Sequence, residues 1–168
     1  FVTGTTGNNV INFGDGANQF TATTGNNTYT GGTGVDTVIV TSGANTITTG
    51  AGNDLITIGG GVNTIDVGAG TDKVTVTGLS AAGTLYSTIT GMGVGDTLLL
   101  NGAAITGTPT FTTAKHTLGA NASFTDYLNG MTTGNGSTNE ITGWFQFGGN
   151  TFVVTDNSAA TSFDTGVD

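Results

Sequence analysis

With 168 residues, the chain has room for one large domain or two small ones with a real core. Its net charge of −9 sets 11 acids against two cations, Lys73 and Lys115, which argues against nucleic acid or an anionic membrane as a partner. The absence of cysteine excludes disulfides and thiolate metal sites, and no apolar run approaches the roughly 18 residues that span a bilayer. No signal peptide is visible. A chain that starts at Phe1 rather than Met is expected to be a processed or excised piece of something longer.

Glycine at 31 of 168 residues against a single proline would ordinarily suggest a linker or a disordered tract. Here the large apolar residues recur at a fixed interval, so the glycines hold positions. Cut every nine residues from Thr5, the chain reads TTGNNVINF, GDGANQFTA, TTGNNTYTG, GTGVDTVIV, TSGANTITT, GAGNDLITI, GGGVNTIDV and GAGTDKVTV. The third position is always glycine, from Gly7 to Gly70. The fifth is always Asn or Asp: Asn9, Asn18, Asn27, Asp36, Asn45, Asp54, Asn63 and Asp72. The seventh is always large and apolar: Ile11, Phe20, Tyr29, Val38, Ile47, Ile56, Ile65 and Val74.

Each unit reads as a tight corner followed by a short strand. Gly and Asn tolerate the positive φ of the corner, and the β-branched or aromatic residues that follow alternate in facing. The seventh and often the ninth positions point inward, as in Val38 and Val40, while the sixth and eighth point out and are mostly threonine. Two units make one coil, so equivalent residues recur every 18 positions and stack at about 4.8 Å.

GGTGVDTVI at residues 31–39 resembles the repeat-in-toxin (haemolysin-type) nonapeptide G-G-x-G-x-D-x-U-x without a departure. The resemblance implies an all-β, right-handed parallel β-roll over residues 5–76, with calcium as its ligand. It also implies export from a bacterial cell by the type I pathway.

Chemistry alternates with orientation along the array. Successive units lie on opposite edges of the roll, so Asn18, Asp36, Asp54 and Asp72 share one edge and Asn9, Asn27, Asn45 and Asn63 the other. Carboxylates stacked about 5 Å apart repel unless a cation lies between them. A hard ion with six to eight oxygen ligands suits such a column, with carbonyls from the glycine turns completing the shell; calcium fits better than magnesium, which prefers a smaller, stricter octahedron. The expected sites lie between Asp36 and Asp54 and between Asp54 and Asp72. A weaker third would use Asn18 and Asp36, helped by Asp15. The alternative is that these aspartates only form turns. On the other edge the neutral asparagines are expected to ladder by side-chain hydrogen bonds with no metal.

The nonapeptide period ends at Thr77, and residues 77–168 are expected to form a β-rich capping region. Within it a strand, a glycine turn and a second strand offer Ile89 and Leu98–Leu100 as core candidates, with Asp96 as a turn former. A helix is expected over residues 123–131, capped by Ser123, with Phe124, Tyr127, Leu128 and Met131 at helical spacing. A hairpin should follow, Glu140–Phe147 and Thr151–Thr155 about a Gly148-Gly149-Asn150 turn, with Phe145 and Phe147 on one face. Trp144 is expected in the core or at its rim. His116, the lone histidine, is expected to be a loop or surface residue.

The stretch WFQFGGNTFVVTDNSAATSFDTGVD resembles the C-terminal part of surface-layer and related proteins secreted by the type I pathway. In that family one more strand usually follows a segment like Gly166-Val167-Asp168. Asp156, Asp164 and Asp168 are expected to be solvated turn acids, with a further calcium as the alternative.

One histidine and no cysteine cannot build a zinc cluster, and neither a nucleophile elbow nor a phosphate loop is present, so a non-enzymatic role is expected. The leading expectation is an extracellular structural protein of a bacterial surface layer or matrix. Its partners would be calcium, neighbouring subunits and cell-surface polysaccharide. The rivals are a calcium-stiffened adhesin for carbohydrate, a surface or ice, and the secretion tail of an exported hydrolase. Ice enters because Thr28/Thr30 and Thr46/Thr48 stack in rows, interrupted at Thr64/Asp66.

Overall fold

The computed structural model describes residues 1–78, 86–100, 110–111, 114–133 and 141–156. They fall into two compact units. The first holds β1 (Val2–Thr5), β2 (Val10–Gly14), β3 (Gln19–Ala22), β4 (Thr28–Gly31), β5 (Thr37–Val40) and β6 (Thr46–Thr48). It continues with β7 (Leu55–Ile58), β8 (Thr64–Asp66), β9 (Lys73–Val76), β10 (Thr88–Thr90) and β11 (Thr97–Leu100). Odd-numbered strands stack into a six-stranded sheet and even-numbered ones into a five-stranded sheet, and every pairing within both is parallel. This is the expected parallel solenoid.

Period-two facing decides what is buried. Phe20, Val38, Ile56 and Val74 from one sheet and Ile65 from the other are 0% exposed, with Tyr29 and Ile47 at 1%. Burial of each such aliphatic or aromatic side chain contributes about 1.5–3 kcal/mol, so the seventh position of the repeat is what holds the two sheets together. Close stacking of the corners then demands glycine. Gly34 sits at φ 122°, and a methyl group there would meet the carbonyl carbon and oxygen of Gly16, one coil earlier, at 2.7 Å.

The solenoid extends beyond residues 5–76 at both ends. Val2 pairs with Phe20, which continues the 18-residue step upstream of Thr5. Past Thr77, Ile89 pairs with Ile65 and Leu98 with Val74. Ile89, Leu98 and Leu100 pack on the core, while Leu99 points outward and is 43% exposed. The boundary at Thr77 is therefore the end of the nonapeptide and not of the roll. Parallel pairing needs only an alternating strand in register, and the connection leading to it can be longer than a nonapeptide corner.

The second unit contains β12 (Thr110–Phe111), α1 (Phe124–Thr133), β13 (Ile141–Phe147) and β14 (Asn150–Asp156). Helix α1 starts where expected: Ser123 N–H donates to Asp126 Oδ2 (2.8 Å) and Asp126 N–H to Ser123 Oγ (3.2 Å), a reciprocal cap. It runs two residues beyond the expected end at Met131. The hairpin turn is shorter than expected. Gly148 and Gly149 both take positive φ, 57° and 83°, so Asn150 is already paired with Phe147. Phe145 is fully buried, stacked on Tyr127 at 5.0 Å and on Phe152 at 5.2 Å. Trp144 lies on the other face of β13 and is half-buried.

His116 lies outside the helix and strands, as the loop half of the expectation had it, and is half-buried. Its N–H donates to the Trp144 carbonyl (2.9 Å), its ring meets Tyr127 edge-on at 6.2 Å, and its Nε2 is buried without a hydrogen-bond partner. A methyl group on Gly130 would collide with that Nε2, so the helix leaves room for the imidazole by carrying glycine there. Glu140, Asp164 and Asp168 lie outside the described residues, as does the side chain of Asp156.

Candidate metal centre

The fifth position of the repeat enters the roll just before each strand, so its side chain is drawn under the adjacent corner. Asp36, Asp54 and Asp72 are 0%, 1% and 2% exposed. One carboxylate oxygen of each serves the fold. Asn18 N–H donates to Asp36 Oδ1 (3.0 Å), Asp36 N–H to Asp54 Oδ1 (2.8 Å) and Asp54 N–H to Asp72 Oδ1 (2.8 Å). The column of acidic corners is thus tied together through the backbone, coil to coil.

The second oxygens have nothing. Asp36 Oδ2, Asp54 Oδ2 and Asp72 Oδ2 are buried and make no hydrogen bond. Burial first, and then the charges of Asp36 and Asp72, push the Asp54 carboxyl above its ordinary value, against the pull of the Asp36 N–H and the Thr49 hydroxyl. The Tyr29 hydroxyl, also buried and without a well-formed hydrogen bond, faces this edge from the core. Burial, and next the Asp36 carboxylate, raise its phenol far above the usual range. Gly31 leaves space beside Asp36, since a methyl group there would run into Asp36 Oδ2 and the Thr49 carbonyl.

The opposite edge solves the same packing problem with an amide. Asn27 N–H and Nδ2 both donate to Asn45 Oδ1 (2.9 Å each), and Asn45 N–H (3.2 Å) and Nδ2 (2.9 Å) donate to Asn63 Oδ1. Asn9 Nδ2 begins the ladder on Asn27 Oδ1 (2.8 Å). Each amide also ties down its own corner: Asn27 Nδ2 donates to Gly25 O (3.0 Å) and Asn45 Nδ2 to Gly43 O (3.1 Å). The expected asparagine ladder is present, and every amide nitrogen in it has a partner.

Against that background the aspartate edge fits a cation. It lacks the donor that the amide supplies, and it buries carboxylate oxygens that make no hydrogen bond and that a cation would satisfy. Among the described residues, no three Asp, Glu or His side chains converge on a point. Each gap in the column therefore offers two carboxylates at most, and corner carbonyls must supply the rest of an oxygen shell. Such a donor set suits calcium.

The remaining predicted residues sit differently. Asn18 stands in the column, but its Nδ2 donates to Gly14 O and Gly16 O (2.9 Å each), so its corner carbonyls are already engaged. Asp15 makes a different contact. That side chain is exposed, and its Oδ1 accepts from Thr33 N–H (2.9 Å) on the next coil, which holds its carboxyl below the ordinary value.

Asp96 forms the turn expected of it, with Gly93 N–H donating to its Oδ2, and it also continues the column. Its Oδ1 accepts from Asp72 N–H at 2.7 Å, the relation that links the three aspartates above it. The signal was Asp96-Thr97-Leu98-Leu99-Leu100, which repeats the strand pattern of Asp72-Lys73-Val74-Thr75-Val76 after a corner of the same length.

The family model of the RTX calcium-binding nonapeptide repeat matches residues 1–29, 30–65 and 39–74. Neither the curated proteins nor the solved structures provide a match. Motif, coil register and paired edges agree over the same stretch. The chain carries a calcium-binding RTX β-roll, its nonapeptide repeats wound into a parallel β-solenoid.

Proposed function

We propose that the chain is the calcium-folded part of an extracellular, non-enzymatic structural protein that builds a bacterial surface layer or matrix after type I secretion. The observation that carries this reading is the set of buried, unpartnered oxygens on Asp36, Asp54 and Asp72. In a cell interior poor in calcium those carboxylates oppose stacking, and the glycine-rich corners stay loose enough for export. Outside, millimolar calcium binds the folded state alone and pulls the equilibrium toward it. RTX repeats are typical of proteins exported by this route, and the C-terminal segment resembles surface-layer proteins. The Asp column binds calcium between Asp36 and Asp54 and between Asp54 and Asp72, with turn carbonyls as co-ligands. Circular dichroism of the purified chain across a calcium titration, followed by electron microscopy, tests the reading. Calcium should bring β-structure first and ordered sheets or filaments second. Identical spectra in chelator and in saturating calcium would end it.

A binding-module reading draws on one further observation. Thr88 and Thr90 stand in register with Thr64 and Asp66, so the exposed face of the five-stranded sheet carries Thr28/Thr30, Thr46/Thr48, Thr64/Asp66 and Thr88/Thr90 in successive rungs. That is one full row more than the repeats alone contain. Retention of the calcium-loaded monomer on insoluble glycan or in growing ice would favour this reading over assembly.

A further inference from the structure

The acidic column does not stop where the nonapeptides stop. Asp72 closes the last matched repeat, and the next corner belongs to a segment with a different spacing, 24 residues on instead of 18. Even so, Asp72 N–H donates to Asp96 Oδ1 at 2.7 Å, as Asp54 N–H donates to Asp72 Oδ1 at 2.8 Å. The strands that follow are paired through the same positions, Thr97 with Lys73 and Leu98 with Val74. Asp96 thus bears to Asp72 the relation that Asp72 bears to Asp54.

Two details distinguish this gap from an accident of acidic residues. Asp72 is 2% exposed and its Oδ2 is buried without a partner, although Asp96 is the next carboxylate in the column. The Asp96 carboxylate is also held in place from its own corner, since Gly93 N–H donates to its Oδ2 at 2.7 Å. With Oδ1 fixed by Asp72 and Oδ2 by Gly93, the group is orientated before any ion arrives, and each oxygen keeps a lone pair for one.

We infer that Asp72 and Asp96 form an additional divalent-cation site at the end of the column, outside the nonapeptide array, selective for calcium-like ions. The inference rests on the reading that the Asp36, Asp54 and Asp72 corners bind calcium. The site differs from those above it: Asp96 is less buried than Asp72, and its second oxygen already holds a backbone N–H. It should therefore fill last in a titration, when the rest of the roll has formed. A terminal site of this kind would lock β10 and β11 onto the roll and so seal the rung at that end.

Calcium stoichiometry of the full chain, read by equilibrium dialysis with the chain at saturation, tests this against the Asp96→Asn variant. The expected result is loss of one bound ion per chain and loss of the weakest phase of the binding isotherm, with the circular dichroism of the loaded state retained. An unchanged count in Asp96→Asn would overturn the inference and leave the upper sites standing. No bound calcium in the unaltered chain would overturn both the inference and the function it rests on. Should Asp96→Asn fail to fold, a crystal structure of the unaltered chain grown in calcium decides. Ion density between Asp72 and Asp96 supports the site, and density only between the upper aspartates refutes it.

Discussion

Asn45 and Asp54 occupy the same repeat position on opposite edges of the roll, and one atom separates their fates. Asn45 Nδ2 donates to Gly43 O and Asn63 Oδ1, whereas Asp54 Oδ2, likewise buried, bonds to nothing. Both residues also accept, through Oδ1, the backbone N–H of the equivalent residue one coil earlier. The amide nitrogen thus does permanently on one edge what a bound calcium ion would do conditionally on the other.

Exchange of that atom should move a corner from one class to the other. Asp54→Asn is expected to stabilise the calcium-free roll by about 1–3 kcal/mol, the usual cost of an unsatisfied buried acceptor. It should also reduce how far added calcium raises the melting temperature. Thermal melts in chelator and in saturating calcium measure both. A variant that is less stable than the parent in chelator would contradict the equivalence of the two edges.

Truncation should separate the edges in the other direction. Asn45→Ala removes buried amide bonds that never involve metal, so it should cost about 1–3 kcal/mol at every calcium concentration. Asp54→Ala strips a carboxylate shared by two gaps and should move the calcium midpoint of folding to higher concentration, well beyond the shift caused by Asn45→Ala. Urea titrations at several calcium concentrations give the two patterns. Parallel, equal shifts from both variants would mean that the edges are chemically alike.

How much of this was legible in the sequence depends on what kind of relation is at stake. Asp36, Asp54 and Asp72 recur at a constant interval, and a constant interval is all that a solenoid needs to place residues in one column. The Val2–Phe20 pairing obeys that interval too, one unit upstream of Thr5. Asp96 breaks it, because the connection from β9 to β10 is six residues longer than that from β7 to β8 and its register is 24, so only the strand pattern after it carried the signal. His116 carried none. Its place is set by a bridge to Phe145 and by the missing side chain of Gly130, both remote in the chain. Likewise, no spacing rule says which of two carboxylate oxygens will be left without a donor.

Stacking should also grade the cost of filling a corner glycine. Gly16 and Gly34 occupy the same repeat position with φ of 101° and 122°, but an added methyl group at Gly16 meets nothing within 4 Å, whereas at Gly34 it meets the Gly16 backbone. Gly16→Ala is expected to pay only the left-handed backbone penalty, about 1–2 kcal/mol. Gly34→Ala must in addition push two coils apart, and should lose at least twice as much. Chemical denaturation in saturating calcium measures the pair, and equal losses would show that the coils are not in the close contact described.

The second unit offers a pH test that leaves the metal column out. The Ser123 N–H and hydroxyl hold the Asp126 carboxyl below its ordinary value of 3.8. A carboxyl whose folded pKa lies below its unfolded one adds stability above the unfolded value and loses it as pH falls through the folded value. Amide protection of the first turn of α1 should therefore be level above pH 3.8 and decline below it. In Asp126→Asn that decline should disappear, and in Ser123→Ala protection should already be reduced at neutral pH, because the reciprocal cap is gone. Hydrogen exchange at Phe124–Tyr127, followed residue by residue, reports on the helix end directly. A decline of equal depth in Asp126→Asn would show that another acid governs this turn.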